Sequence, residues 1–116
     1  MQIWTRRAYE EPTAQDGRRV LVDRIWPRGV SKADAQIDEW LKAIAPSDDL
    51  RQWFGHDPKR WDEFRERYFD ELDAAPVAVE QIREWADEGR VTLVYGARDE
   101  QHNNAVALRD YLLGAR

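Results

Sequence analysis

The chain has no cysteine. That absence removes disulfides, thiolate catalysis and cysteine-ligated zinc together, and it fits a cytoplasmic protein. No apolar run approaches the length needed to span a bilayer. The opening Gln2-Ile3-Trp4-Thr5-Arg6-Arg7 lacks the apolar region of a secretory signal, so no membrane partner is expected. Serine is confined to Ser31 and Ser47, both better suited to capping helices than to nucleophilic attack. No G-x-S-x-G elbow, Walker A loop or dinucleotide glycine fingerprint occurs, and no cofactor is implied. Positive charge is also in deficit. The 18 Lys and Arg against 23 Asp and Glu leave a net charge of −5, which speaks against broad nucleic-acid binding.

What is present is a chain of 116 residues, the size of one domain spanning residues 1–116. Six tryptophans bring large apolar areas to bury and six indole N–H groups to satisfy. Val20-Leu21-Val22 is a short continuous apolar run, as expected of a strand covered on both faces. It runs straight into Asp23-Arg24-Ile25-Trp26-Pro27-Arg28-Gly29, a charged loop stiffened by Pro27. Gln2 to Thr5 reads as a first strand whose direction the short, polar connection leaves open. Val91 to Tyr95 reads as a second central strand.

Between these strands the pattern is helical. Ser31 is an N-cap with Asp34 three residues on, and Ile37, Trp40, Leu41 and Ile44 follow at helical spacing up to Pro46. Ser47 starts a second helix that Gly55 ends. Asp57-Pro58 opens a third with Trp61, Phe64, Tyr68 and Leu72 inward. Pro76 opens a fourth that ends at Gly89. A last helix carries Ala105, Leu108, Tyr111 and Leu112 inward. The order predicts an α/β domain: a small, mostly parallel sheet, flanking helices, and a helical insertion between the second and last strands. Part of that insertion is expected to form a subdomain or lid.

Ligands of open α/β sheets bind beyond the strand carboxyl ends. Here those ends would pool Arg24, Trp26, Arg28, Tyr95, Arg98, Asp99 and Asn103 as ligand-binding groups, with Arg6 joining if the first strand is parallel. Planar guanidinium groups in such a cluster suit phosphate or carboxylate. The competing reading is structural pairing of these arginines with Asp23 and Asp99. His56 and His102 are the candidate proton carriers. Helix-break chemistry already accounts for Gly55, Asp57 and Pro58 around His56, and His102 would equally serve to tie its loop to the last helix. The two histidines lack metal-ligand spacing, and no metal site is expected.

Four separated motifs, RVLVDRIWPRGVSK, DEWLKAIAPS, RQWFGHDPKRWDEFRERY and VTLVYGARDEQHNNA, resemble the YeaO-like branch of domain of unknown function 488. The resemblance covers nearly the whole chain. It implies a bacterial or archaeal α/β domain and supplies no activity. It places Arg24, Trp26, Arg28, His56, Asp99 and His102 inside motifs. A sister branch carries cysteines where Tyr95 and Asn103 stand here, so a thiol role does not transfer.

Three functions compete. The first is binding of, or action on, a small anionic molecule such as a phosphoester or nucleotide. The second is a nucleic-acid-binding or regulatory module using Arg18, Arg19, Arg24 and Arg28 with Trp26 for stacking. The third is a protein-interaction domain with exposed tryptophans.

Overall fold

The computed structural model describes residues 1–116. Strands β1 (Ile3–Arg7), β2 (Arg18–Leu21), β3 (Glu39–Trp40) and β4 (Val91–Tyr95) form one sheet in the order β1-β4-β2-β3. Every neighbouring pair is parallel. The first strand is therefore parallel to the last. The helices are α1 (Lys32–Ala35), α2 (Asp48–Phe54), α3 (Trp61–Asp73), α4 (Pro76–Glu88) and α5 (Asn104–Leu112). None is long and apolar enough to cross a membrane.

The alternation of side chains along the strands divides the sheet into two unlike faces. Ile3, Val20, Val22, Val91, Leu93 and Tyr95 enter the main core with residues of α2, α3, α4 and α5. The expected separate lid does not form, because Phe64, Tyr68, Leu72 and Ile82 of the insertion belong to this same core. The opposite face is smaller. Ala8, Leu21 and Val94 pack there against Trp26 and Ile37. Beside them lies a fully buried polar group, Asp16, Arg19 and Thr92.

The expected helix from Ser31 to Ile44 is corrected. Ser31 does cap a helix through the Asp34 N–H, but α1 lasts one turn and Gln36 closes it in the left-handed conformation, at φ 46°. The chain then pairs with β2, with Val20 opposite Glu39 and Leu21 opposite Trp40. Asp38 N–H donates to Arg19 O at 2.9 Å and Leu41 N–H to Leu21 O at 3.0 Å. The Asp38 carboxylate also accepts the Arg19 N–H at 2.8 Å. The edge of β2 thus gains partners that a helix would not supply, and this need overrides the helical periodicity. Ile37 and Ile44 end up on opposite sides of the sheet.

Local chemistry holds elsewhere. Ser47 Oγ accepts the Leu50 N–H at 3.1 Å and donates to Glu71 Oε2 at 2.7 Å, while Ser47 N–H donates to Glu71 Oε1 at 2.8 Å. Ser47 therefore caps α2 and fastens it to α3. Ser47→Ala is expected to lower stability by about 1–2 kcal/mol, as lost caps do, read as a lower urea midpoint with an unchanged slope. Tyr68, fully buried, donates its hydroxyl to Ile44 O at 2.6 Å and holds the segment before α2 from beneath. Burial, aided by the charges of Asp23 and Glu71, pushes that phenol well above its ordinary pKa.

Candidate functional site

Because β2 and β4 are parallel neighbours, the loops that leave them open on the same edge of the sheet. A crevice of about 260 Å³ lies there. Asp23 marks its inner end. Its Oδ2 accepts the Gly96 N–H at 2.8 Å and its Oδ1 accepts from Asn104 Nδ2 at 3.0 Å. Asn104 also donates to Val22 O at 3.0 Å. One carboxylate thus joins the end of β2, the end of β4 and the start of α5. Burial raises the Asp23 pKa, and the Gly96 and Asn104 hydrogen bonds and positive charge on His56 and Arg51 offset this only in part. Gly96 fits the strap closely, since a Cβ there would stand 3.2 Å from Asp23 Oδ2.

The rim is cationic. Arg24, Arg28, Arg51 and His56 all line the crevice, and all four are exposed. Arg24 and Arg51 share one acid, Asp48, each at 3.7 Å, and Arg24 donates to Ala45 O at 3.4 Å. Those ion pairs are loose and wet, of the kind that contributes little. Arg28 forms no ion pair; its carbonyl accepts from the Tyr9 hydroxyl at 2.9 Å. His56 follows Gly55, and both take positive φ, 57° and 54°. Left-handed backbone at a non-glycine residue is a stored strain often found at functional positions. Here the double turn out of α2 carries the imidazole to the crevice mouth.

Of the residues expected from sequence, Arg24, Arg28, His56 and Asn103 line this crevice. The others lie outside its lining. Trp26 folds onto the second sheet face, donates Nε1–H to Val30 O at 2.6 Å, and meets Trp40 edge-on at 5.4 Å. Tyr95 points into the main core. Arg98 is exposed and forms no ion pair. Arg6 faces Asp16 and Glu10.

Asp99, His102 and Asn103 build the start of α5. Asp99 Oδ1 accepts the N–H groups of Gln101 and His102, both at 2.9 Å. Asp99 Oδ2 meets His102 Nδ1 at 2.9 Å. Hydrogen bonds from Gln101 and His102 lower the Asp99 pKa. Asn103 caps the helix by accepting the Val106 N–H at 2.9 Å, and the His102 ring rests edge-on against Trp61 at 5.4 Å. No group of three or more His, Asp or Glu side chains is arranged to hold a metal ion.

Sequence reasoning missed Arg51 and Tyr9. Arg51 reads as an ordinary surface position of α2 and enters the site because Leu50 and Phe54 seat that helix in the main core, with Phe54 and Arg51 both lining the crevice. Tyr9 sits in the connection after β1, whose direction the sequence left open.

Fold and site together define a parallel α/β domain with an arginine-rimmed crevice at the strand carboxyl ends. The chain belongs to the family described as the inactive DUF488-N3 subclade, whose model matches residues 2–116. It is 43% identical over 109 residues to the uncharacterized protein Rv3073c of Mycobacterium tuberculosis, covering 93% of this chain and 91% of that one. It is 38% identical over 112 residues to the uncharacterized protein YeaO of Escherichia coli, covering 97% of each. The resemblance to the YeaO-like branch therefore holds along the whole chain. No solved structure matches.

Proposed function

We propose that this domain binds a small anionic molecule in the crevice between Asp23 and the arginine rim. The observation that carries the reading is the meeting of Arg24, Arg28 and Arg51, from two separate segments, at one opening where the only paired acid is the exposed Asp48. Such a rim attracts anions and offers planar donors to an oxyanion. The word inactive in the subclade's description favours binding without turnover. The crevice lining contains no serine, threonine or cysteine nucleophile. The nucleic-acid alternative has less support, because its basic cluster is dispersed. Arg18 pairs with Glu39 and Glu88, Arg19 is buried against Asp16, and Trp26 is turned inward.

The test is thermal unfolding with added phosphate or sulfate at ionic strength held constant with chloride. A ligand bound at about 100 times its Kd stabilises the fold by about 2.7 kcal/mol, so the wild-type midpoint should rise by several degrees. The double variant Arg28→Met, Arg51→Met should lose most of that rise. Equal shifts in the two proteins, or none in either, would remove the proposal.

A further inference from the structure

The crevice is divided by depth. Its inner wall is apolar: Phe54 and Phe64, stacked with centroids 4.3 Å apart, together with Ala45 and the buried prolines Pro27 and Pro46. Apart from the Asp23 carboxylate at the inner end, which Gly96 and Asn104 hold, the charged groups stand at the rim. We propose that the ligand is a small organic acid with a flat apolar ring, the ring seated against Phe54 and Phe64 and the anionic group held at the mouth by the arginines. This rests on the anion-binding reading above and narrows it.

Three arguments lead to that class. The first is size. A dry cavity of about 150 Å³ accommodates benzene, so a crevice of about 260 Å³ has room for one ring and its charged substituent. The second is the supply of partners. Asp23 already accepts from Gly96 and Asn104, and Asn104 spends its amide N–H groups on Val22 and Asp23. A polyhydroxylated body such as a sugar would place several hydroxyls against Phe54, Phe64, Ala45 and the two prolines, whose side chains offer no hydrogen-bond partner, and each hydroxyl left unpaired is costly. The third is the wall itself. Phe54 and Phe64 are only 4% and 2% exposed, so they reach the crevice by their edges. With Ala45, Pro27 and Pro46 these edges form an apolar lining that a flat ring would cover and a free oxyanion at the rim would not.

The test compares two phosphate monoesters with the same charged group, phenyl phosphate and glycerol 3-phosphate, by isothermal titration calorimetry. Phenyl phosphate is expected to bind on the order of tenfold tighter or more, a ratio that corresponds to about 1.4 kcal/mol. Ala45→Leu fills the inner wall and should bring phenyl phosphate down to the level of glycerol 3-phosphate, which itself should change little. Ala45 is buried, so Ala97→Leu, which narrows the crevice from the β4 loop at a half-buried position, provides the same readout if the first variant does not fold. Arg28→Met should weaken both esters by the same factor. Equal affinities for the two esters in the wild type overturn the ring seat and leave the anion site standing. No binding of either ester overturns both.

Discussion

Replacing Asp16 by Ala is expected to cost about 3–5 kcal/mol, the range seen when one partner of a buried ion pair is removed. Asp16 has no exposed surface, and Arg19 retains only 3% of its own. The carboxylate accepts from Arg19 Nη1 at 2.7 Å, from the Thr13 hydroxyl at 2.8 Å and from the Thr13 N–H at 3.1 Å. Arg19 Nη2 and Arg6 Nε are buried without a hydrogen-bond partner. Deleting the acid would leave a buried guanidinium with only its Ala35 O contact at 3.1 Å. Domains of this size are stable by about 5–15 kcal/mol, so the variant should unfold at a far lower urea concentration.

The same carboxylate gives a pH signature. Burial alone would raise its pKa, but the hydrogen bonds from Thr13 and Arg19 and the charge of Arg6 outweigh burial, and the net direction is down. A carboxyl lowered on folding stabilises the fold above its unfolded pKa, and that contribution is lost as pH falls through the folded value. Wild-type stability should therefore decline on acidification below the ordinary carboxylate range, and Asp16→Asn should show a shallower decline there. Urea midpoints across that range measure it. An Asp16→Ala protein within about 1 kcal/mol of wild type at neutral pH would contradict the account.

Gly17→Ala should be nearly as damaging, for a steric reason. Gly17 has φ 66° and ψ −138°, a conformation open essentially to glycine alone. A Cβ built there lies 2.2 Å from Arg90 O. That carbonyl has little freedom to withdraw. It accepts the Arg18 N–H at 3.0 Å, and the Arg90 side chain stacks over Trp4 at 3.8 Å while bonding to Gln2. The φ strain and the overpacking each fall at about 1–3 kcal/mol, so a loss of about 3 kcal/mol or more is expected. Gly29 supplies the control. It also has positive φ, 79°, but nothing lies within 4 Å of its Cβ position. Gly29→Ala should lose only about 1–2 kcal/mol. Equal denaturation midpoints for the two variants would show that the contact with Arg90 is not what matters.

The parts of this fold legible in the sequence are those specified by neighbouring residues. Ser47 and Asp57 announce helix starts because a short polar side chain next to free N–H groups acts over three residues. Val91 to Tyr95 reads as a central strand because its apolar run is continuous. The strand β3 was not legible. It comprises two residues, and what fixes it is the vacant edge of β2 some twenty positions earlier. The site divides the same way. The emergence of Arg24 and Arg28 after a buried strand is visible in the chain. That Arg51 joins them while Arg98 does not depends on where α2 and the β4 loop settle, which is a tertiary fact. Trp26 illustrates the opposite error. Its indole N–H finds Val30 O only four residues away, so a local structural role was already available to it.

The position of β4 between β1 and β2 has a consequence for how the chain acquires its structure. β1 and β2 do not pair with each other; each pairs with β4. Ile3 therefore waits for Val91, and the sheet has no centre until most of the chain has been synthesised. Loop closure over such a separation is slow and leaves strand edges open in the meantime. The helices between could form early on the strength of their caps and apolar stripes. Arrival of the last strand would then be the event that unites the two halves of the sheet, and with them the two loops that frame the crevice.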